Sequence, residues 1–257
     1  MTPDERERYK RQLMSAGFTD EHQERLRSST VLLAGIGGLG GALAYGLAAA
    51  GVGKIKLIHA GRLTESNLNR QTLMQESALG ESRVFEAKRR LEAFSRFVTV
   101  EAHDADVTEA VLHPLMEGVD LVIDARHNFP ERKTLNAVAM AHATALLFAA
   151  MDDLAAQMAL FRPSVTGCLA CLYPDDPPEW DPFGFAVFGA LAHAVGAMAA
   201  LEAIKYLSGF GRLADRLVTM NGADYRTATY RLRPDPACPV CRNAVAGITT
   251  HRTGDHR

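Results

Sequence analysis

The chain has 257 residues, of which 47% are hydrophobic by type, and a formal net charge of −2. That is enough chain for one large α/β domain with an appendage and a sizeable core. No basic excess or patch points to nucleic acid. The charged start MTPDERERYKRQ is not a secretory leader, so the expected compartment is the cytoplasm.

Residues 3–28 read as one or two polar helices anchored by Leu13, Phe18 and Leu26. TVLLAGIG (30–37) is a short apolar run closed by glycine, a buried strand. GLGGALAYGLAAAG (38–51) is a helix stopped by Gly51, and KIKLIHA (54–60) is the next strand. GRLTESNLNRQTLMQES (61–77) is a long polar loop, of the kind that carries function. A helix (82–96), a strand (98–105), a helix (109–118), a strand (120–126), a helix (131–144) and a strand (145–151) follow. This alternation predicts an α/β fold: a Rossmann-like, mostly parallel sheet with helices on both faces.

After Met151 the rhythm changes. AQMALFRP, RLVTMNG and TATYRLRP read as antiparallel strands, with NGAD (221–224) as a turn. PDDPPEWDPFG (174–184) reads as a mobile loop. The stretch FAVFGALAHAVGAMAALEAIKYL carries His193, Glu202 and Lys205. Its Ala and Gly suit a packed core or interface helix rather than a membrane span.

Gly35-Ile36-Gly37-Gly38-Leu39-Gly40 fits G-x-G-x-x-G between a strand and a helix. Gly35 permits the tight turn, Gly37 lets backbone approach a phosphate, and Gly40 lets the helix sit against the strand. The helix start, with Gly38, then offers free amides to an anion. A turn kept for packing alone is the bland alternative. The acid that normally grips ribose at the end of the second strand is missing; the sequence there is His59-Ala60-Gly61.

Cys168, Cys171, Cys238 and Cys241 form two C-x-x-C pairs with none left over. Four thiolates suit a structural zinc that staples two distant segments. Disulfides and unliganded buried thiols are the alternatives, and a cytosolic setting disfavours the first.

The landmarks RYKRQ (8–12), GIGGLG (35–40), AAAGVGKIKLI (48–58), SNLNRQ (66–71), DLVIDARHN (120–128), CLAC, LEAIKYLSG (201–209) and CPVC stand in one order. In these the chain resembles the bacterial E1-like activating enzymes of the ThiF/MoeB/HesA type. The resemblance implies adenylation, by ATP and Mg²⁺, of the C-terminal glycine of a small ubiquitin-like sulfur carrier ending in Gly-Gly. It also implies a homodimer. It matches Arg70 and Asn67 to residues that contact ATP, and Arg11 to one that reaches the partner's phosphates. Adenylation needs such cations to steady charge on the departing pyrophosphate.

It also marks departures. The family's Asp-x-Asp falls on His59 and Gly61. Its catalytic-loop lysine falls on Arg83, with Lys88 too far along to replace it without rotating the helix. Its magnesium-binding aspartate falls on His127, a poor ligand for a hard cation, while Asn128 remains and Asp124 lies three residues early. Arg11, Arg70, Arg83 and His127 are therefore the candidate catalytic residues. Gly35, Gly37, Gly38, Gly40, His59, Asn67, Asp124 and Asn128 join Arg70 and Arg83 as candidate nucleotide contacts. Trp180, in the segment matching the family's crossover, would close over a peptide.

The expected division is a helical segment (1–29), a Rossmann-like nucleotide-binding part (30–151), antiparallel strands with crossover loop and zinc site (152–242), and a flexible tail (243–257). Two further readings stay open. One is a catalytically degenerate homodimer acting as a binding module. The other is an NADP-binding protein, with Arg62 near the missing acid.

Overall fold

A computed structural model describes residues 1–175, 186–212 and 214–242. Most of the loop at 174–184, Trp180 included, and the tail from 243 lie outside the described residues. Two polar helices come first, α1 (Pro3–Leu13) and α2 (Asp20–Ser28). Thr2 starts α1 with a capping box shared with Glu5. Phe18 and Leu26 are buried and Leu13 partly so; Tyr9, which the pattern did not single out, is buried as well.

β1 (Thr30–Ala34) leads through the glycine turn into α3 (Gly38–Ala50), and β2 (Lys54–Ile58) follows. Gly51 ends α3 at φ 92°, where a Cβ would stand 2.7 Å from the Tyr9 ring. Gln12 and Gln23 donate to the last α3 carbonyl, Ala50 O, at 3.1 and 3.0 Å. The N-terminal helices therefore dock at the end of α3 remote from the glycine turn.

The long polar loop contains two single 3-10 turns, Glu65–Asn67 and Glu76–Ala78. The alternation continues through α4 (Arg83–Phe94), β3 (Thr99–His103), α5 (Glu109–Leu115), β4 (Leu121–Asp124), α6 (Phe129–Ala141) and β5 (Ala145–Asp152). Then come β6 (Ala155–Phe161), a short α7 (Leu169–Leu172), α8 (Gly189–Ser208), β7 (Arg216–Asn221) and β8 (Thr227–Arg231). The strands form one sheet in the order β3-β2-β1-β4-β5-β6-β7-β8. Pairings from β3 to β5 are parallel and those from β5 to β8 antiparallel. The expected mixed α/β architecture is thus observed. Residue 151 falls near the end of β5, at the hairpin where the sheet changes sense.

Both faces of the parallel half are covered, which is why its strands read as unbroken apolar runs. Val31 and Leu33 of β1 join the core under α3, α4 and α8; Leu32 and Ala34 join the one under α5 and α6. By length and composition α8 could cross a bilayer, yet half of it is buried in the protein. Its small residues meet those of α3: a Cβ on Gly46 would lie 2.7 Å from that of Ala200. A Cβ on Gly196 would lie 2.4 Å from Leu39 O.

Strand order reverses at β1, with β2 and β3 on one side and β4 and β5 on the other. Open α/β sheets hold ligands at such a switch point, outside the carboxyl ends of the strands. Ala34 and Asp124 are register partners there.

Candidate functional site

The glycine turn sits at that switch point, and each glycine has its own reason. Gly35 has φ 99°, and a Cβ on it would be 2.4 Å from Ala125 O. A Cβ on Gly40 would be 2.1 Å from Gly35 O, so only glycine lets α3 come this close. Gly37 is different: the nearest atom to its would-be Cβ is Gln71 Nε2, at 4.0 Å. No side chain caps α3 at Gly37. Its first-turn amides are thus available to an anion.

The SNLNRQ loop packs onto this turn. A Cβ on Gly38 would be 2.9 Å from Arg70 O, and His193 on α8 bonds the same carbonyl at 2.8 Å. The Arg70 guanidinium donates to Ser66 O at 2.7 Å and to Asn69 Oδ1 at 2.9 Å, and has no carboxylate partner among the described residues. Asn67 shapes the loop: its side chain accepts from Thr64 N at 3.1 Å, and its carbonyl accepts from Arg70 N and Gln71 N. Gln71 is buried, with Oε1 lacking any partner.

A second set of cations gathers at the end of β2. His59 is buried, and its Nδ1 lies 2.6 Å from Arg126 Nη1. Burial, then the charges of Arg83, Arg126 and His127, hold this imidazole well below its usual range, so it is neutral. Arg83 opens α4 and donates to Ala60 O at 3.1 Å. Burial and the nearby Arg126 and Arg70 lower its pKa. Lys88 faces elsewhere, donating to Val100 O at 2.6 Å and pairing with Glu92. Arg11 is exposed on α1. It is far from this cluster, since the 13 residues of α3 span about 20 Å.

Sequence reasoning missed Arg126 and Arg132, which organise the loop after β4. Arg126 clasps Glu131 through Nε at 2.6 Å and Nη2 at 2.8 Å. Arg132 is buried, donates to Asp124 Oδ2 at 3.1 Å and to Arg126 O, and stacks over Phe148. Asp124 Oδ1 takes Arg126 N at 2.9 Å, so both oxygens of this buried carboxylate are occupied. Asn128 caps α6, accepting from Glu131 N at 2.9 Å and donating to Glu131 Oε2 at 2.5 Å. His127 is exposed beside this loop; partial desolvation and Arg126 lower its pKa. The carboxylates of this loop are thus engaged by protein groups. The donor set does not fit a magnesium ion, which calls for free hard oxygens.

Beyond the opposite half of α6, the four cysteines converge. Their sulfurs lie within 4.8 Å of one another and could hold one metal ion. The closest pairs are 3.5, 3.8 and 4.0 Å apart. Thiolates about 2.3 Å from a central ion sit about 3.8 Å from each other, whereas a disulfide needs about 2.05 Å. Asn136 donates to Cys168 Sγ at 3.6 Å and accepts from Leu169 N at 3.0 Å; Asp235 N points to Cys171 Sγ at 3.4 Å. Outer hydrogen bonds of this kind would orient the thiolates on a metal ion. The four-residue α7, too short to show a period, has Cys168 as its N-cap and carries Cys171.

Residues 9–240 match the model of the ThiF family. Protein HesA of Leptolyngbya boryana is 44% identical over 244 residues, which is 95% of this chain and 88% of that protein. The sulfur carrier protein adenylyltransferase of Thermus thermophilus is 36% identical over 249 residues, 93% of this chain and 92% of that one. Among solved structures, Escherichia coli MccB with ATP aligns with a TM-score of 0.82 at 23% identity, over 91% of this chain and 74% of its own, which speaks for the fold. Such coverage, against relatives of similar length, supports one assignment: the chain belongs to the ThiF family, among the E1-like proteins of the ThiF/MoeB/HesA type.

Proposed function

We propose that this chain binds ATP at the glycine turn and adenylylates a carboxylate, the C-terminal glycine of a small ubiquitin-like sulfur carrier. The observation that carries the reading is the open space at Gly37 beside an Arg70 with no acid partner among the described residues. Uncapped amides at a helix start, beside a guanidinium bonded only to neutral oxygens of its own loop, suit a polyphosphate. The sulfur carrier protein adenylyltransferase of Thermus thermophilus, as a relative, supports the choice of carboxylate and carrier. A carboxylate oxygen attacks the α-phosphorus, the bond to the bridging oxygen breaks, and pyrophosphate leaves with the electron pair. Arg70 and the turn amides steady the leaving group, and Arg83 supplies a further positive charge. No step is assigned to a protein-held magnesium, because Asp124 and Glu131 are already engaged.

The cysteine cluster holds structural zinc in this reading, which suits a reducing cytoplasm. The chain acts as a homodimer, which gives the remote Arg11 a site to serve in the partner. Pyrophosphate–ATP exchange with a carrier ending in Gly-Gly tests the activity. Exchange that requires the carrier is expected; absence of both exchange and ATP binding overturns it. The engaged carboxylates favour one second reading, a family member that binds nucleotide without turnover. Calorimetric ATP binding with no exchange for any carrier would select that reading.

A further inference from the structure

The first two turns of α4 border a hollow of about 350 Å³, lined by Arg62, Glu81, Ser82, Phe85, Glu86 and Arg89. No residue of the glycine turn lines it. Small-molecule pockets run from about 300 to 1,000 Å³, so this one suits a compact ligand.

Its walls carry opposite charges that are left unmatched. The Glu86 side chain is wholly out of solvent. Its Oε2 accepts from Arg89 Nε at 2.7 Å, and Arg89 also reaches Glu81 at 3.4 Å. Glu86 Oε1 has no hydrogen-bond partner, and neither has the buried Ser82 Oγ one helical turn earlier. A buried acceptor without a donor is rare in a folded chain and signals a missing group. Arg62 is exposed, donates to Gly80 O at 2.8 Å and makes no ion pair with Glu86 or any other acid among the described residues. Phe85 adds an apolar ring that is 53% exposed. A lone cation would leave Arg62 unmatched, and a lone anion would leave Glu86 Oε1 unmatched. A small molecule bearing both charges answers both walls.

We propose that this hollow binds a free α-amino acid with an apolar or aromatic side chain. The Glu86 carboxyl and the Ser82 hydroxyl turn into the hollow they already line and accept from the ligand's ammonium. Arg62 donates to its carboxylate, and its side chain lies on Phe85. Charge-assisted bonds at both ends fix the orientation. The site is separate from the glycine turn and does not depend on a nucleotide there.

Calorimetry of the full chain with L-phenylalanine, L-phenylalaninamide and N-acetyl-L-phenylalanine tests it. Each analogue lacks one charge, so the free amino acid is expected to bind about tenfold more tightly than either. Arg62→Gln, at an exposed position, should erase the preference over the amide. Glu86→Gln, which keeps the shape of the side chain, should erase the preference over the N-acetyl form. Phe85→Ala should weaken L-phenylalanine binding about fivefold while both preferences remain. If the buried Glu86 variant fails to fold, the two exposed variants decide. No saturable binding of L-phenylalanine overturns the proposal. So does equal affinity for all three compounds, or a preference over the amide that survives Arg62→Gln. ATP titrated into the same samples reports separately on the glycine turn, so neither reading falls with the other.

Discussion

His127 stands where the resembled family keeps a magnesium-binding aspartate, and the carboxylates around it are committed to Arg126 and Arg132. His127→Asp would add a free hard oxygen at the loop tip. ATP binding should become magnesium-dependent and about tenfold or more tighter with the ion; calorimetry with and without Mg²⁺ reads it, and an unchanged affinity places the metal contact elsewhere. His59 gives a pH signature. Its folded pKa lies well below the usual 6.5, so below that pH the unfolded chain binds a proton the folded one refuses. Stability is then lost as pH falls from 6.5, by up to about 1.4 kcal/mol per pH unit from this group. Urea titrations between pH 7 and 5 should show a shallower loss for His59→Asn; identical slopes would mean the ring is charged when folded. At this scale the glycines and cysteines were legible because their spacing alone carries meaning. Arg126 and Arg132 were not, because Arg126 meets His59 at the end of β2 and Arg132 meets Asp124 of β4, and nothing local marks a cation as buried.

Among the elements, α6 joins the two sites. Its first turn is capped by Asn128 and carries Arg132, which holds Asp124; one turn on, Asn136 reaches Cys168. Arg132→Met should leave the fully buried Asp124 carboxylate short of its counter-charge. Removing one partner of a buried pair costs about 3–5 kcal/mol. Thermal melting should therefore drop sharply, and a shift of a degree or two would show that Asp124 is not dependent on this pair. Element types were readable from sequence because strand and helix periods differ, and α8 was readable as a packed helix from its alanines and glycines. The close approach of Gly46 to Ala200 gives that composition its physical reason.

For the whole molecule, the order of alternating and then consecutive strands foretold a parallel half followed by an antiparallel one, and the single continuous sheet follows it. How tightly the cysteine pairs approach depends on the fold of everything between them, which no spacing rule supplies. Burial pushes the Cys168 thiol up to about 11, so without a cation it stays protonated. A metal draws those protons off, and its binding free energy becomes folding free energy. Chelation at neutral pH is expected to lower the melting temperature by ten degrees or more, with Zn²⁺ restoring it; an unchanged melt would mean the thiols carry no ion.

The 66 residues between Cys171 and Cys238 contain α8, the helix against which α3 is packed. Once an ion grips both pairs, that stretch is a ring threaded through the protein's centre. Ring closure over such a length removes about 4 kcal/mol of chain freedom from the disordered state, by analogy with a covalent crosslink. The helix beneath the glycine turn is thereby tethered from behind, and an opening of the antiparallel half cannot set it loose while the ion remains.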